Sequence, residues 1–200
     1  PTRRSSDLSI RSYNQTISNR RVNNMTIRFL FANPKTWWKK AGNFLLQIGE
    51  QVPFGHFAIE LETYGEPKVY ESIFPKSQKT NRSEWNKHYE VVKSYEWTVP
   101  DHLRFQIYEW LEKQVGIRYA IEQIIFIGLT IIFGWLNLIF NKLVLNGNRA
   151  MVCTELGSRF AEKFWGFVPT ESHDKIGLKD MEVLSDRYEN NVKWTSQVEG

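Results

Sequence analysis

Hydrophobic residues in the first half of the chain fall in short runs that predict β-strands. Four segments are rich in the β-branched and aromatic residues that strands favour: TIRFLFA (26–32), HFAIELE (56–62), KVYESIF (68–74) and EVVKSYEWTV (90–99). The tetrapeptide YGEP separates the second from the third and predicts a turn. These two segments are therefore expected to form a hairpin.

Farther along the chain, hydrophobic residues recur every three or four positions and predict helices. The segment 100–116 has one apolar helical face, and Gly116 can end the helix. The residues of that face are Leu103, Ile107, Trp110, Leu111 and Val115. The segment 152–166 has the same periodicity, with Cys153 at its N-terminal end and a stripe formed by Leu156, Phe160 and Phe164.

Two further segments have weaker patterns. The segment 33–51 also predicts a helix, because Asn33 can cap it and Pro34 suits a first helical turn. From Phe167 onward the sequence is mixed and polar, which predicts loops with one short strand or helix.

Charge sets the first 24 residues apart from the rest. The whole chain has 26 Lys and Arg against 22 Asp and Glu. Residues 1–24 contain five of the basic and one of the acidic residues, so 21 of each remain from Met25 onward and their net charge is zero. An electrostatic argument for nucleic-acid binding disappears with those 24 residues.

The same 24 residues do not resemble part of a folded domain. PTRRSSDL resembles the in-frame translation of a sequencing adapter, and RRV before NNM resembles a translated ribosome-binding site. We therefore expect Met25 to be the start, 1–24 to be a non-native or disordered leader and 25–200 to be a single domain. A genuine polar arm is the alternative. The apolar run after Met25 is too short for a signal peptide, so a cytoplasmic or membrane-associated location is expected.

Cys153 is the one cysteine of the chain, so no internal disulfide can form. It stands at the N-terminal end of a predicted helix, where unpaired backbone N–H groups and the helix dipole favour a thiolate. The thiolate is the nucleophilic form of cysteine, and the same N–H groups can stabilise an oxyanion. The alternative is that this lone cysteine is a small buried hydrophobic residue.

The hairpin can supply the base that such a cysteine needs. With Tyr64-Gly65 at its tip, residues whose numbers sum to 129 face each other, which puts Glu71 opposite Ala58. Side-chain alternation returns the same face at His56, so Glu71 is its diagonal neighbour and can orient the imidazole. Glu60 shares this face and is the second choice for the orienting group.

In this order, the segments resemble a known family. GHFAIEL and VYES, then GIRY (116–119), then VCTEL resemble the circularly permuted branch of the NlpC-type papain-like cysteine peptidases, the YiiX-like group, and more distantly the lecithin:retinol acyltransferase family. In that branch the histidine strand precedes the cysteine helix. The likeness spans most of residues 26–166, with Thr154 in place of the family's usual serine and a long apolar stretch between Tyr119 and Cys153.

The resemblance implies a single α+β domain of permuted papain-like fold, with a small antiparallel sheet packed against helices. It implies a thiol hydrolase in which Cys153 is the nucleophile, His56 the general base and acid, and Glu71 the orienting group. The implied substrate is an amide or peptide bond, for example in peptidoglycan, cleaved through a thioacyl-enzyme with no cofactor or metal. The substrate contacts that it implies are Tyr119, Gly55 and Thr154.

Several alternatives stay open. The same site could act on lipid-linked acyl groups as an acyltransferase or esterase, or the fold could be an interaction or structural module with a relict site. Tyr119 could be a core residue instead of a substrate contact. The other histidines have no partners at metal-ligand spacing and are expected on the surface or in the core; they are His88, His102 and His173. The sequence names neither the substrate nor the oligomeric state.

The segment 121–145, IEQIIFIGLTIIFGWLNLIFNKLVL, is the most apolar part of the chain. A helix that spans a bilayer needs about 20 such residues, and Gly128 and Gly134 favour a bend. We expect a helical insertion or hairpin beside the catalytic cleft, with one apolar face that admits acyl chains or rests on a bilayer. Completion of the core is the alternative.

Liposome flotation of residues 25–200 tests the membrane alternative. If the segment contacts a bilayer, the protein floats with the vesicles, and replacing four apolar residues by polar ones abolishes flotation without unfolding the protein. The four are Ile125, Phe126, Ile132 and Phe133. If the protein instead stays in the soluble fraction and the replacements unfold it, the segment belongs to the core.

Overall fold

The computed structural model describes six stretches of the chain, which are 25–36, 51–62, 65–119, 150–151, 153–170 and 172–195. The predictions for 1–24, for most of the helix at 33–51 and for the insertion at 121–145 lie outside them, as does the side chain of Tyr119. Within these stretches, no helix has the length and hydrophobicity needed to cross a bilayer.

Strands from both halves of the sequence form two sheets. The larger consists of β1 (Thr26–Pro34), β2 (His56–Glu62), β3 (Lys68–Glu71), β4 (Gln78–Asn81) and β5 (Tyr89–Thr98). It is antiparallel throughout, in the order β4-β3-β2-β1-β5. The smaller is a parallel pair, β6 (Arg118–Tyr119) and β7 (Ala150–Met151).

The described stretches contain four α-helices, so the fold is α+β. They are α1 (Arg82–His88), α2 (Arg104–Gln114), α3 (Cys153–Trp165) and α4 (Leu178–Tyr188). Short 3₁₀ turns precede α2 and α4, at Asp101–Leu103 and His173–Lys175. The helix after Phe167 and the helix that begins at Cys153 are both confirmed.

The four predicted strands are present, although β3 ends at Glu71 and not at Phe74. The predicted start of the helix at 33–51 is wrong. Asn33 and Pro34 continue β1, where they pair with Glu90 and Tyr89 of β5. The register of this ladder shifts between Phe31 and Ala32, and the bulge lets the pairing continue past the apolar run. The pairing of backbone groups between strands therefore outweighs the local capping signal.

Two elements in a polar stretch were not predicted. Strand β4 and helix α1 follow each other directly within SQKTNRSEWNKH, which has neither a two-residue nor a 3.6-residue hydrophobic period.

In α2, Ile107 and Leu111 are buried as predicted, whereas Val115 is exposed. The helix ends before Val115, and Gly116 follows with a φ of +90°, a conformation that favours glycine.

The main core lies on one face of the sheet and centres on Phe29. The centroid of its ring lies 5.0 Å from those of Phe57, Trp97 and Trp165, which come from β2, β5 and α3. Helix α3 adds its predicted stripe, and α4 adds three further side chains. The buried residues of the two helices include Leu156, Phe160, Phe164, Leu178, Met181 and Leu184.

Gly157 allows α3 to lie close against β2. A methyl group at this position would be 2.6 Å from Met181 Cε and 2.7 Å from the ring of Phe57, closer than such carbons approach one another. Only a residue without a side chain therefore fits between α3, α4 and the sheet. The close approach lies one turn after Cys153 and fixes where the start of α3 meets β2.

The opposite face of the sheet has a smaller core that α1 covers. Trp85 of α1 and Tyr89, the residue after α1, pack there against Leu30, Ala58 and Val69. Because side chains alternate along a strand, His56 of β2 points to this face while Phe57 points into the main core. His56 begins its strand and therefore lies at one end of the sheet.

Substitution of Gly157 tests the close approach. In an open helix, Gly→Ala would stabilise the protein by about 1 kcal/mol through helix propensity. Here we expect Gly157→Ala to lower the free energy of unfolding by about 1–3 kcal/mol, because the new methyl group overpacks the core. Urea unfolding measures the change, with Val183→Ala on the exposed side of α4 as a control that stays within about 0.5 kcal/mol. A stabilised Gly157→Ala protein would contradict the packing described.

Candidate active site

Cys153 is the first residue of α3, as the sequence predicted. Strand β7 ends two residues earlier, at Met151. The cysteine side chain is half-buried and packs against the main core, and Thr154 behind it is buried. The first N–H groups of a helix have no acceptor within the helix, and the thiol lies beside them at the positive end of the helix dipole.

His56 is buried at the start of β2 and contacts Glu71 at the end of β3. The His56 Nε2 and Glu71 Oε2 atoms are 2.7 Å apart. The strand pairs Ile59–Tyr70, Glu60–Val69 and Leu61–Lys68 each sum to 129, so the predicted register is confirmed. Glu71 is thus the diagonal neighbour of His56, as that register requires.

Three side-chain donors surround the buried carboxylate of Glu71. Besides His56, Trp85 Nε1 donates to Oε2 over 2.9 Å and Gln78 Nε2 donates to Oε1 over 2.8 Å. Burial by itself would raise the pKa of Glu71, but these bonds and the charge of His56 outweigh it and hold the pKa below its usual value. Glu71 is therefore an anion at neutral pH, and the His56 Nε2–H donates to it.

The other partner of the His56 ring is Cys153. Burial lowers the pKa of His56, but hydrogen bonds to Cys153 and to Glu71 raise it to about 9. Since Nε2 is bonded to Glu71, Nδ1 is the ring nitrogen left for the thiol. Glu71, His56 and Cys153 therefore form one hydrogen-bonded chain, from β3 through β2 to the start of α3.

An aromatic stack covers the imidazole on one face. The Tyr89 ring lies 4.7 Å from the His56 ring at an interplanar angle of 20°, and the Trp85 ring lies 4.8 Å from that of Tyr89 at 19°. Burial and the charges of Glu71 and Cys153 raise the pKa of Tyr89, so its hydroxyl stays neutral. Solvent reaches this face of the imidazole poorly, because Tyr89 and Trp85 are both buried.

The remaining predicted residues have different surroundings. Glu60, the second choice for the orienting group, pairs with Arg28 and with Arg82, whose Nη1 is 2.7 Å from Glu60 Oε2. Gly55 is buried next to His56, and its backbone N–H donates to Ala32 O over 3.2 Å.

Tyr119 lies in β6, where its backbone pairs with Met151 of β7, two residues before Cys153. Each of the three predicted substrate contacts is thus close in the chain or in a sheet to a predicted catalytic residue. Gly55 adjoins His56 and Thr154 adjoins Cys153, whereas Tyr119 pairs with the strand that precedes α3.

Local sequence patterns do not reveal three residues of this site or one other cluster. Gln78 and Trp85 lie in the polar stretch that has no hydrophobic period, and Tyr89 precedes a predicted strand. The ring of His173 bonds Ser158 Oγ and Glu162 Oε2 over 2.8 and 2.7 Å. These contacts join residues 11 to 15 positions apart, and no local spacing predicts them. The described part of the chain contains no group of three side chains suited to hold a metal ion.

Comparison of the chain with protein-family models, with curated proteins and with solved structures finds no match.

Titration of His56 tests the hydrogen-bonded chain. Its pKa in the unfolded state is near 6.5 and in the folded state near 9, so the interaction contributes stability that is complete below about pH 6.5 and is lost as pH rises through about 9. We expect NMR of the imidazole nitrogens to give a midpoint near 9. In Glu71→Gln the charge is gone while burial remains, so the midpoint should fall. A wild-type midpoint at or below 6.5 would contradict the arrangement.

Proposed function

We propose that this chain is a cysteine hydrolase of permuted papain-like fold, which cleaves an amide or peptide bond through a thioacyl-enzyme. Cys153 is the nucleophile, His56 the general base and acid, and Glu71 the group that orients and charges the imidazole. The observation that carries the proposal is the continuous chain of hydrogen bonds from Glu71 through His56 to the cysteine at the start of a helix.

The electrostatics of this chain support a nucleophilic role for Cys153. A buried anion on one side of His56 favours imidazolium, and an imidazolium beside a thiol favours thiolate. The helix N-terminus acts in the same direction. A cysteine with these neighbours attacks carbonyl carbon at neutral pH, whereas a cysteine buried only among apolar groups does not.

The first half of the proposed reaction acylates Cys153. The thiolate sulfur bonds to the carbonyl carbon, and the carbonyl electron pair moves to oxygen, where backbone N–H groups at the start of α3 stabilise the oxyanion. The oxyanion then collapses, the bond from carbon to the leaving group breaks, and His56 Nδ1–H protonates the departing amine. Products at this stage are a free amine, a thioester on Cys153 and a neutral imidazole.

The second half restores the free enzyme. Neutral His56 removes a proton from water, the hydroxide bonds to the thioester carbon, and a second oxyanion forms in the same place. Its collapse expels the Cys153 thiolate and releases a carboxylic acid. Throughout, Glu71 accepts from Nε2 and keeps the imidazole in the orientation that points Nδ1 at the sulfur.

The order of elements supports the permuted form of the fold. The histidine strand β2 precedes the cysteine helix α3 in the chain, and α3 packs on β2 through Gly157. In the family that the sequence resembles, the same order distinguishes the permuted branch. Peptides, including those of peptidoglycan, are the substrate class that this resemblance favours; acyl esters and acyl-lipids share the first half-reaction and are compared in the experiment below.

Alkylation of Cys153 tests whether the thiol is activated. We expect iodoacetamide to label the wild-type protein at pH 6, where an ordinary thiol is almost wholly protonated and reacts slowly. His56→Ala should slow labelling by a factor of about 100 or more, because general-base groups contribute about that much. Glu71→Gln should slow it less, and His102→Ala, at an exposed position, should leave it unchanged.

A substrate panel then separates the reaction classes. Wild-type protein and Cys153→Ala are incubated with peptidoglycan fragments, peptide amides and acyl esters, and mass spectrometry follows both products and the acyl adduct on Cys153. Turnover of peptides supports the proposal, and turnover of esters alone supports a lipid-directed enzyme. A reactive thiol without an adduct from any class, or a thiol that alkylates only after unfolding, would indicate a non-catalytic module.

A further inference from the structure

The proton transfers of the proposed reaction require the His56 ring to keep its orientation while the charge of the ring changes. We propose that Tyr89 is a positioning residue for His56, an inference that rests on the proposed function. The ring face of Tyr89 holds the plane of the imidazole and stabilises the imidazolium. Trp85 in turn holds both Tyr89 and Glu71 in place. Neither aromatic residue is assigned a role by the Cys153–His56–Glu71 mechanism itself.

The geometry is a closed ring of four groups. The rings of His56, Tyr89 and Trp85 are stacked in that order, with angles of 20° and 19° between neighbours. The two outer rings, His56 and Trp85, bond to the same atom, Glu71 Oε2, over 2.7 and 2.9 Å. Rotation of the imidazole would therefore break its bond to Glu71 and its contact with Tyr89 together.

The backbone fixes Tyr89 at this place. Tyr89 directly follows α1, and its N–H donates to the backbone oxygen of Trp85. It also begins β5 and pairs with Pro34 of β1. A side chain held by a helix end and a sheet ladder has little freedom, so its ring is a rigid support for a neighbour.

The physical effect of the stack is to favour positive charge on His56. The negative face of an aromatic ring attracts a cation whose centre lies within about 6 Å, and the 4.7 Å separation satisfies this condition. Both residues are buried, so water screens the attraction little. Among the described residues, the titratable groups that contact the His56 ring are Glu71 from β3, Cys153 from α3 and Tyr89 itself.

Substitutions of Tyr89 test the role of its ring face. Tyr89→Leu removes the aromatic face but keeps the site apolar, so the NMR midpoint of His56 should fall by about one pH unit. Tyr89→Phe keeps the face, so its midpoint should stay within about 0.3 unit of the wild type. Tyr89→Met is a second variant without an aromatic face, for use where the leucine protein does not fold, and the same fall is expected.

Substitutions of tryptophan test the second part of the proposal. Trp85→Phe keeps a ring under Tyr89 but removes one donor to Glu71, so the pKa of that carboxyl should rise and alkylation of Cys153 at pH 6 should slow several-fold. The matched control is Trp97→Phe, which removes a buried indole N–H bonded to the backbone oxygen of Tyr188 over 2.9 Å in the main core. It should lower stability and leave the His56 titration and the alkylation rate unchanged.

The outcomes distinguish this inference from the proposed function. If wild-type Cys153 is unreactive at pH 6, the proposed function fails, and the His56 titrations still decide whether the stack acts. If Cys153 is reactive but Tyr89→Leu or Tyr89→Met titrates like the wild type, the function stands and the positioning role of Tyr89 is overturned. An equal fall in Tyr89→Phe also overturns it, because the hydroxyl would then be the group that acts. If Trp97→Phe slows alkylation of Cys153 at pH 6 as much as Trp85→Phe does, the role of Trp85 is overturned.

Discussion

The structure depends most on one buried interaction, the bond between the Glu71 carboxylate and the His56 imidazole. A charge inside a protein costs several kcal/mol in lost hydration unless partners compensate for it, and removing one partner of such a pair costs about 3–5 kcal/mol. Glu71 meets this requirement through bonds from three side chains that come from β2, β4 and α1. The elements on that face of the sheet therefore have to assemble together for the carboxylate to be buried at all.

The two faces of the sheet bury different sets of side chains. On one face, Phe29 and the stripe of α3 form an aromatic core, and Gly157 fixes the height of the helix above β2. On the other, α1 covers the imidazole and its carboxylate. Cys153 begins α3 at the end of the sheet where His56 begins β2. The Cys153 thiol, which packs on the main core, can therefore bond the His56 ring, which lies on the face of the smaller core.

Short-range patterns were enough to predict the hairpin, its register and the start of the cysteine helix. The expected tip at Tyr64-Gly65 predicts the register that the strands have, and two-residue alternation then places Glu71 beside His56 without further information. Strand β4, helix α1 and the roles of Trp85 and Tyr89 could not be predicted, because a polar segment with one tryptophan gains its structure from contacts with distant residues. Asn33 and Pro34 illustrate the same point, since a ladder with β5 overrides their local helix signal. The permuted papain-like assignment and the catalytic roles remain proposals.

A histidine that stays protonated up to about pH 9 would be a strong candidate for a general acid and a weak one for a general base. The proposed reaction needs His56 in both roles, and it resolves the conflict because the groups that raise the pKa of His56 change during the cycle. In the free protein, Cys153 and Glu71 both raise the pKa of His56, and the proposed reaction uses the proton on this ring for the leaving amine. Once Cys153 is a neutral thioester, its contribution disappears while burial still lowers the pKa. His56 then becomes a better base at the step at which water must lose a proton, with Glu71 and Tyr89 keeping the ring in the same orientation.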